Sequence, residues 1–144
     1  EKEVLISTIL TGQDWDQLKL FHAEGETLFT HAGLDPTIFA HPIDGITVPR
    51  LESLCQKAMT NARAGLRDPV LDLSGLTWLR WWEITVLEEF NQVVGHTPDP
   101  KIRIRRSGDR FNAGLDTFGH YVGMLDGTQF SYIDTRSKRV YPIA

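Results

Sequence analysis

The chain is poor in cysteine: Cys55 stands alone among 144 residues. No internal disulfide and no paired-cysteine metal knuckle can form, which suits a reducing compartment and sets a cytoplasmic protein as the expectation. No apolar run approaches the ~20 residues of a membrane-spanning helix, and the acidic opening Glu1-Lys2-Glu3 does not suit a signal peptide. Positive charge is not in excess. The formal net charge of −4 argues against nucleic acid as a partner, and the missing apolar span argues against a membrane. Repeats, low-complexity tracts and Pro/Gly/Ser linkers are lacking too, so residues 1–144 read as one domain. The P-loop, GxGxxG, GxSxG and HExxH patterns are absent. An initiator methionine is also missing, which suggests a processed chain or a piece of a larger one.

What is present suits a globular fold: 41% hydrophobic residues, 24% charged, mean hydropathy −0.23. Val4-Leu5-Ile6 with Ile9-Leu10 fits a strand or a buried helix. The spacing of Trp15, Leu18 and Phe21 predicts a short helix from Asp14 to Ala23, stopped by Gly25. Thr27 to His31 reads as a strand, followed by Gly33 and the turn Leu34-Asp35-Pro36. The clearest helix spans about Thr47 to Ala64. It has Thr47 to cap it, Pro49 in its first turn, Gly65 beyond its end, and a stripe of Leu51, Leu54, Cys55, Ala58 and Ala62. That stripe places Cys55 in the core. Leu76 to Phe90 reads as aromatic-rich and partly helical, and Gln92-Val93-Val94 as a short strand. Ile102 and Ile104 alternate with Arg103 and Arg105 up to a turn at Ser107-Gly108-Asp109. Tyr121–Leu125 and Thr128–Ile133 read as a hairpin around Asp126-Gly127, and Arg139–Ile143 as a last strand. Early helices and late strands give an α/β, α+β-like chain with a mixed sheet.

His31 and His96 carry the informative pattern. Each follows a short apolar strand, and each has glycine close by: His31-Ala32-Gly33 and Gly95-His96-Thr97-Pro98. Sites in open α/β sheets are built beyond the carboxyl ends of the strands, so two such imidazoles can converge across 65 positions. Neutral imidazole suits divalent transition metals. The competing reading is two ordinary histidines, each satisfied by a backbone carbonyl.

Phe29-Thr30-His31-Ala32-Gly33-Leu34, Trp78-Leu79-Arg80, Val93-Val94-Gly95-His96-Thr97-Pro98 and Leu115-Asp116-Thr117 with Gly119 occur in that order. In this order they resemble the later motifs of calcineurin-like metallophosphoesterases, nearest the bacterial and phage serine/threonine phosphatases and the diadenosine tetraphosphatases. The similarity runs from about Leu28 to Leu125. It implies the C-terminal half of a calcineurin-like β-sandwich flanked by helices. In that family two metal ions a few ångströms apart cleave phosphoesters by in-line attack. The resemblance makes His31 and His96 ligands of one ion (Mn, Fe or Zn) and Arg80 a contact to the substrate phosphate. Gly33, Gly95, Thr97 and Asp116 would shape the site. The family's earlier motifs (GDxHG, GDxxDRG and GNH with a following acidic residue) are absent, and Phe118 replaces the glycine of Asp-Thr-Gly.

The expectation is therefore a C-terminal portion of a metal-dependent phosphatase whose N-terminal half is missing, inactive alone and weak or lacking in metal. Its substrate in the intact enzyme would be phosphorylated. The rival is a non-catalytic interaction module that keeps the half-fold. A lone half would bare the apolar face of the strands around Leu28–Thr30 and Val93–Val94, favouring a homodimer. Lys101, Arg103, Arg105, Arg106 and Arg110 read as a solvated strand face, and Trp78, Trp81 and Trp82 as core aromatics. His22, on the predicted short helix, and His41, before a proline, read as exposed bystanders. His120 could line the same cleft as His31 and His96.

Overall fold

A computed structural model describes residues 17–36, 45–72 and 75–143. The opening apolar stretch, Trp15 and His41 lie outside these. Strands β1 (Phe21–Glu24), β2 (Thr27–Thr30), β3 (Asn91–Val94), β4 (Arg103–Ser107) and β5 (Arg110–Gly114) form one sheet in the order β1-β2-β3-β5-β4. β2, β3 and β5 run parallel, and the two edge strands are antiparallel. Strands β6 (Tyr121–Asp126), β7 (Gln129–Asp134) and β8 (Val140–Pro142) form an antiparallel meander. The architecture is mixed α/β, with a mixed sheet and a second, antiparallel one.

Helix α1 (Val48–Arg63) begins with Pro49 in its first turn, where the missing N–H is no loss. Thr47 is extended there, but its hydroxyl caps nothing. The helix ends in a double closure: the Gly65 N–H donates to the Ala62 carbonyl and the Leu66 N–H to the Asn61 carbonyl. Gly65, at φ 71°, supplies the left-handed residue this motif needs. Leu51, Cys55 and Ala58 are buried and Leu54 and Ala62 half-buried. Burial pushes the Cys55 thiol up to about 11, with the Asp68 charge adding to it, so the side chain packs as an inert apolar group.

Period-two alternation divides the large sheet between two cores. Leu28 joins Leu51, Cys55, Ala58, Leu76 and Leu87 on the helix side. Val93, Phe111 and Ala113 pack against Phe130 of the second sheet and Ile143 just beyond β8, with Phe29 alongside. β2 and β3 are therefore covered within the chain; Leu28, Val93 and Val94 are almost wholly buried. Of the face expected to be bare, Leu28, Val93 and Val94 are covered, while Phe29 and Thr30 stay half-buried.

Several expectations need correction. Phe21 to Glu24 is a strand, not the end of a helix. Gly25, at φ 54°, turns β1 back on β2 instead of closing a helix, with Glu24 paired to Thr27. Exposed His22 accordingly sits on a strand. Leu76–Phe90 contains only a short 3-10 turn, Trp81–Glu83, and α1 is the only long helix among the described residues, packed on one side of the large sheet. The β6–β7 turn falls one residue later than expected. Asp126 pairs with Gln129, and only Gly127 has positive φ, so β-branched Thr128 escapes the left-handed region. The basic cluster spans the edge strand β4 and the start of its neighbour β5, and its arginines are not simply solvated. Arg103 pairs with Asp99, Arg105 donates to the Ile84 carbonyl, and Arg110 of β5 pairs with Glu26.

Candidate functional site

The three parallel strands end at one lip. Thr30 leads into His31, Val94 into Gly95 and His96, and Gly114 into Leu115 and Asp116. Backbone bonds lock these exits together: the Gly95 N–H donates to the His31 carbonyl at 2.9 Å and the Leu115 N–H to the Val94 carbonyl at 2.7 Å. His31 Nε2 and His96 Nδ1 stand 3.0 Å apart, and the rings meet at 65°. His31 is exposed and His96 half-buried. His96 takes a φ of 62°, a left-handed backbone that a β-carbon disfavours and that recurs at functional sites.

The surrounding residues have separate tasks. Gly33, at φ 119°, passes under Ile84, where a β-carbon would come within 2.6 Å of the Ile84 Cδ1. A β-carbon on Gly95 would sit 3.3 Å from the His31 carbonyl. The Thr97 hydroxyl accepts from the Trp81 N–H at 3.0 Å, tying the His96 loop to the aromatic segment. The Asp116 carbonyl accepts from the Asp99 N–H. Arg80 lies with its guanidinium over the Trp82 ring, 5.5 Å from its centroid. His120 is turned to Arg136, with its Nε2 3.2 Å from the guanidinium, and no contact joins it to the histidine pair.

Gln92 was not singled out in the sequence, where it reads as one polar residue in an apolar strand. It is fully buried. Its Oε1 accepts from the Leu34 N–H at 2.8 Å, and its Nε2 donates to the Leu34 and Thr85 carbonyls. It staples the loop after His31 to the segment after Trp82. Phe118 occupies a position that needs φ of 55°, which glycine adopts freely. The expected core placement of the tryptophans fails for two of them: Trp78 is 52% and Trp82 60% exposed. Only Trp81 packs inward, against Ala32, Leu79, Ile84 and Val94.

The hydrogen bond between the imidazoles requires one to donate and the other to accept, so the pair cannot carry two protons on those nitrogens. Burial holds the His96 pKa below the ordinary imidazole value; His31 and Arg80 depress it further, and Asp116 opposes them. A histidine whose folded pKa is depressed leaves stability intact above its unfolded pKa and subtracts from it as the pH falls through that value. An NMR titration should show His96 protonating at lower pH than in the unfolded chain, and Arg80→Ala should raise its midpoint. A His96 midpoint at or above the unfolded value would contradict this electrostatic picture.

Two nitrogens bound to a tetrahedral ion at about 2.0–2.1 Å lie about 3.3 Å apart, so the observed spacing suits two neighbouring ligand positions. No group of three or more His, Cys, Asp or Glu side chains converges among the described residues. Two donors are one fewer than catalytic zinc sites take from protein.

No protein-family model matches the chain, and no curated protein matches it. Among solved structures, the fold is similar to that of the cold-active protein-tyrosine phosphatase of a psychrophilic Shewanella species. The TM-score is 0.58 at 14% identity, over 83% of this chain and 41% of that one. The chain thus shares the fold of part of that neighbour and spans less than half of its length. No described helix is long and apolar enough to cross a membrane.

Proposed function

We propose that the chain is the C-terminal portion of a metal-dependent phosphoesterase of calcineurin-like type, acting on a phosphoprotein or a nucleotide. The observation that carries this reading is the meeting of His31 and His96, 3.0 Å apart, at the carboxyl lip of the parallel strands, in a chain whose fold is similar to part of a phosphatase. The neighbour's name, a protein-tyrosine phosphatase, favours a phosphoprotein substrate. The two imidazoles would supply two of the ligands to one divalent ion (Mn, Fe or Zn), whose remaining ligands would come from an N-terminal half. When bound, that ion would supply charge neutralisation at the phosphoryl oxygens.

This chain's own residues bind and orient. Arg80 carries a fixed positive charge at the rim, with five N–H donors suited to a phosphate's oxygens. The Glu83 carboxylate accepts from the Arg80 N–H at 2.7 Å and holds the backbone that bears it. Thr97 and Gly95 fix the His96 loop, and Gly33 and Gln92 the His31 loop. A ligand set of only two donors favours one other reading, a module that binds a partner without catalysis. In either case a homodimer through this sheet would have Phe29 and Thr30, the half-buried end of β2, to offer.

With Mn²⁺ added, the isolated chain is expected to hydrolyse p-nitrophenyl phosphate no faster than the His31→Ala, His96→Ala double variant. A longer parent protein carrying the preceding segment should turn over, and either single histidine-to-alanine change should lower its rate about a hundredfold or more. A parent protein indifferent to both changes would rule out this reading.

A further inference from the structure

Trp78 and Trp82 spend large apolar area on solvent, in a segment that is otherwise well anchored. Leu79 between them is 3% exposed and packs with Ala32, Ile84 and Val94, while Trp81 leans on the same cluster. The Ala32 N–H donates to the Leu76 carbonyl at 2.9 Å, fastening the segment to the loop that carries His31. The two exposed indoles are therefore displayed on a supported stretch. They are not scattered over the surface either. The Trp78 ring lies 5.3 Å from that of His96, edge to face at 80°. Trp82 lies beneath the Arg80 guanidinium, which the ring holds by cation–π attraction.

The arrangement divides the labour. Arg80, with its guanidinium 5.5 Å from the centroid of the Trp82 ring, offers a positive charge that the ring helps to position before an anion binds. Trp78, beside the histidine pair and more than half open, offers a flat π surface at the place where the group attached to a bound phosphate would rest. Positive charge and an exposed indole at one lip are complementary to a ligand that is anionic at one end and flat and aromatic at the other. A compact alkyl phosphate would use the first feature and waste the second.

Resting on the phosphoesterase reading above, we infer that Trp78 is a specificity residue, selecting phosphate monoesters whose ester oxygen carries a planar aromatic ring, with Trp82 positioning Arg80 for the phosphate. Stacking beyond simple burial gives such an ester an advantage of about fivefold over an equally bulky saturated one.

The test uses the full chain and three probes: phenyl phosphate, cyclohexyl phosphate and inorganic phosphate, titrated by NMR. Phenyl phosphate should bind about fivefold more tightly than cyclohexyl phosphate. Trp78→Leu, at an exposed position, should abolish that difference with circular dichroism unchanged, and Trp78→Phe should retain most of it. Trp82→Ala should weaken both esters alike. If both esters bind equally, or the preference survives Trp78→Leu, the stacking inference is overturned and the phosphoesterase reading stands. Equal binding is also the result expected if the indoles serve to meet another protein segment. If no phosphate probe binds, the inference is overturned too, and the functional reading is then decided by the histidine variants of the longer parent protein.

Discussion

Gly33→Ala is expected to remove about 3–5 kcal/mol of folding stability, a large share of what a domain of this size possesses. Two effects combine. The φ of 119° lies in a region that a β-carbon makes costly, and that carbon would come within 2.6 Å of the Ile84 Cδ1 and 2.9 Å of its Cγ1. Ile84 is 1% exposed and wedged among Ala32, Leu79 and Val94, so it has little room to yield. Trimming it in a Gly33→Ala, Ile84→Val double variant should recover part of the loss, because the nearest methyl is gone while the backbone strain persists. Gly95→Ala makes a useful contrast. Its new carbon would meet only the His31 carbonyl at 3.3 Å, and at most about 1 kcal/mol should be lost. Urea denaturation of the three variants measures these effects, and a Gly33→Ala loss below about 1 kcal/mol would refute the tight-approach argument.

Gln92→Leu is the second large effect. Leucine fits the volume but satisfies nothing, leaving the Leu34 N–H and the Leu34 carbonyl without the side chain that pairs them. The Thr85 carbonyl loses one of two donors, keeping Asn112 Nδ2 at 3.2 Å. Each buried polar group left unpaired costs about 1–3 kcal/mol, so a loss of about 3–5 kcal/mol is expected. Hydrogen exchange gives a local signature: the Leu34 amide should lose protection beyond the global change. Unaltered protection at Leu34 would show that the staple is not holding the loop.

Much of the fold was legible because short-range physics decides it. The stripe of Leu51, Cys55 and Ala58 shows period 3.6, and Gly65 follows where a helix must stop. Gly108 and Gly127 mark two-residue turns between alternating strands. The error at Phe21–Glu24 has the same root. Trp15, Leu18 and Phe21 recur at helical steps, and Gly25 suits a helix end as well as a hairpin, so only pairing with Thr27–Thr30 decides between them. At the site, the histidines were legible from their place after apolar strands. Their facing geometry depends on a parallel pairing that no local pattern encodes. Gln92 was illegible because its value lies in partners at Leu34 and Thr85, which the fold alone brings to it. The tryptophans misled because large aromatics ordinarily seek the core.

The parallel register joining residues 27–30 to 91–94 has a kinetic consequence. The β4–β5 and β6–β7 hairpins close over two-residue turns, so they can form early and locally. The β2–β3 ladder must wait for a long stretch of chain to be gathered in, and its loop-closure entropy is met before any contact rewards it. His31 and His96 lie one and two residues beyond the end of that ladder. Their meeting is thus among the last events of folding, and a chain caught part-way, with its hairpins and α1 already made, would carry every residue of the site and none of its geometry.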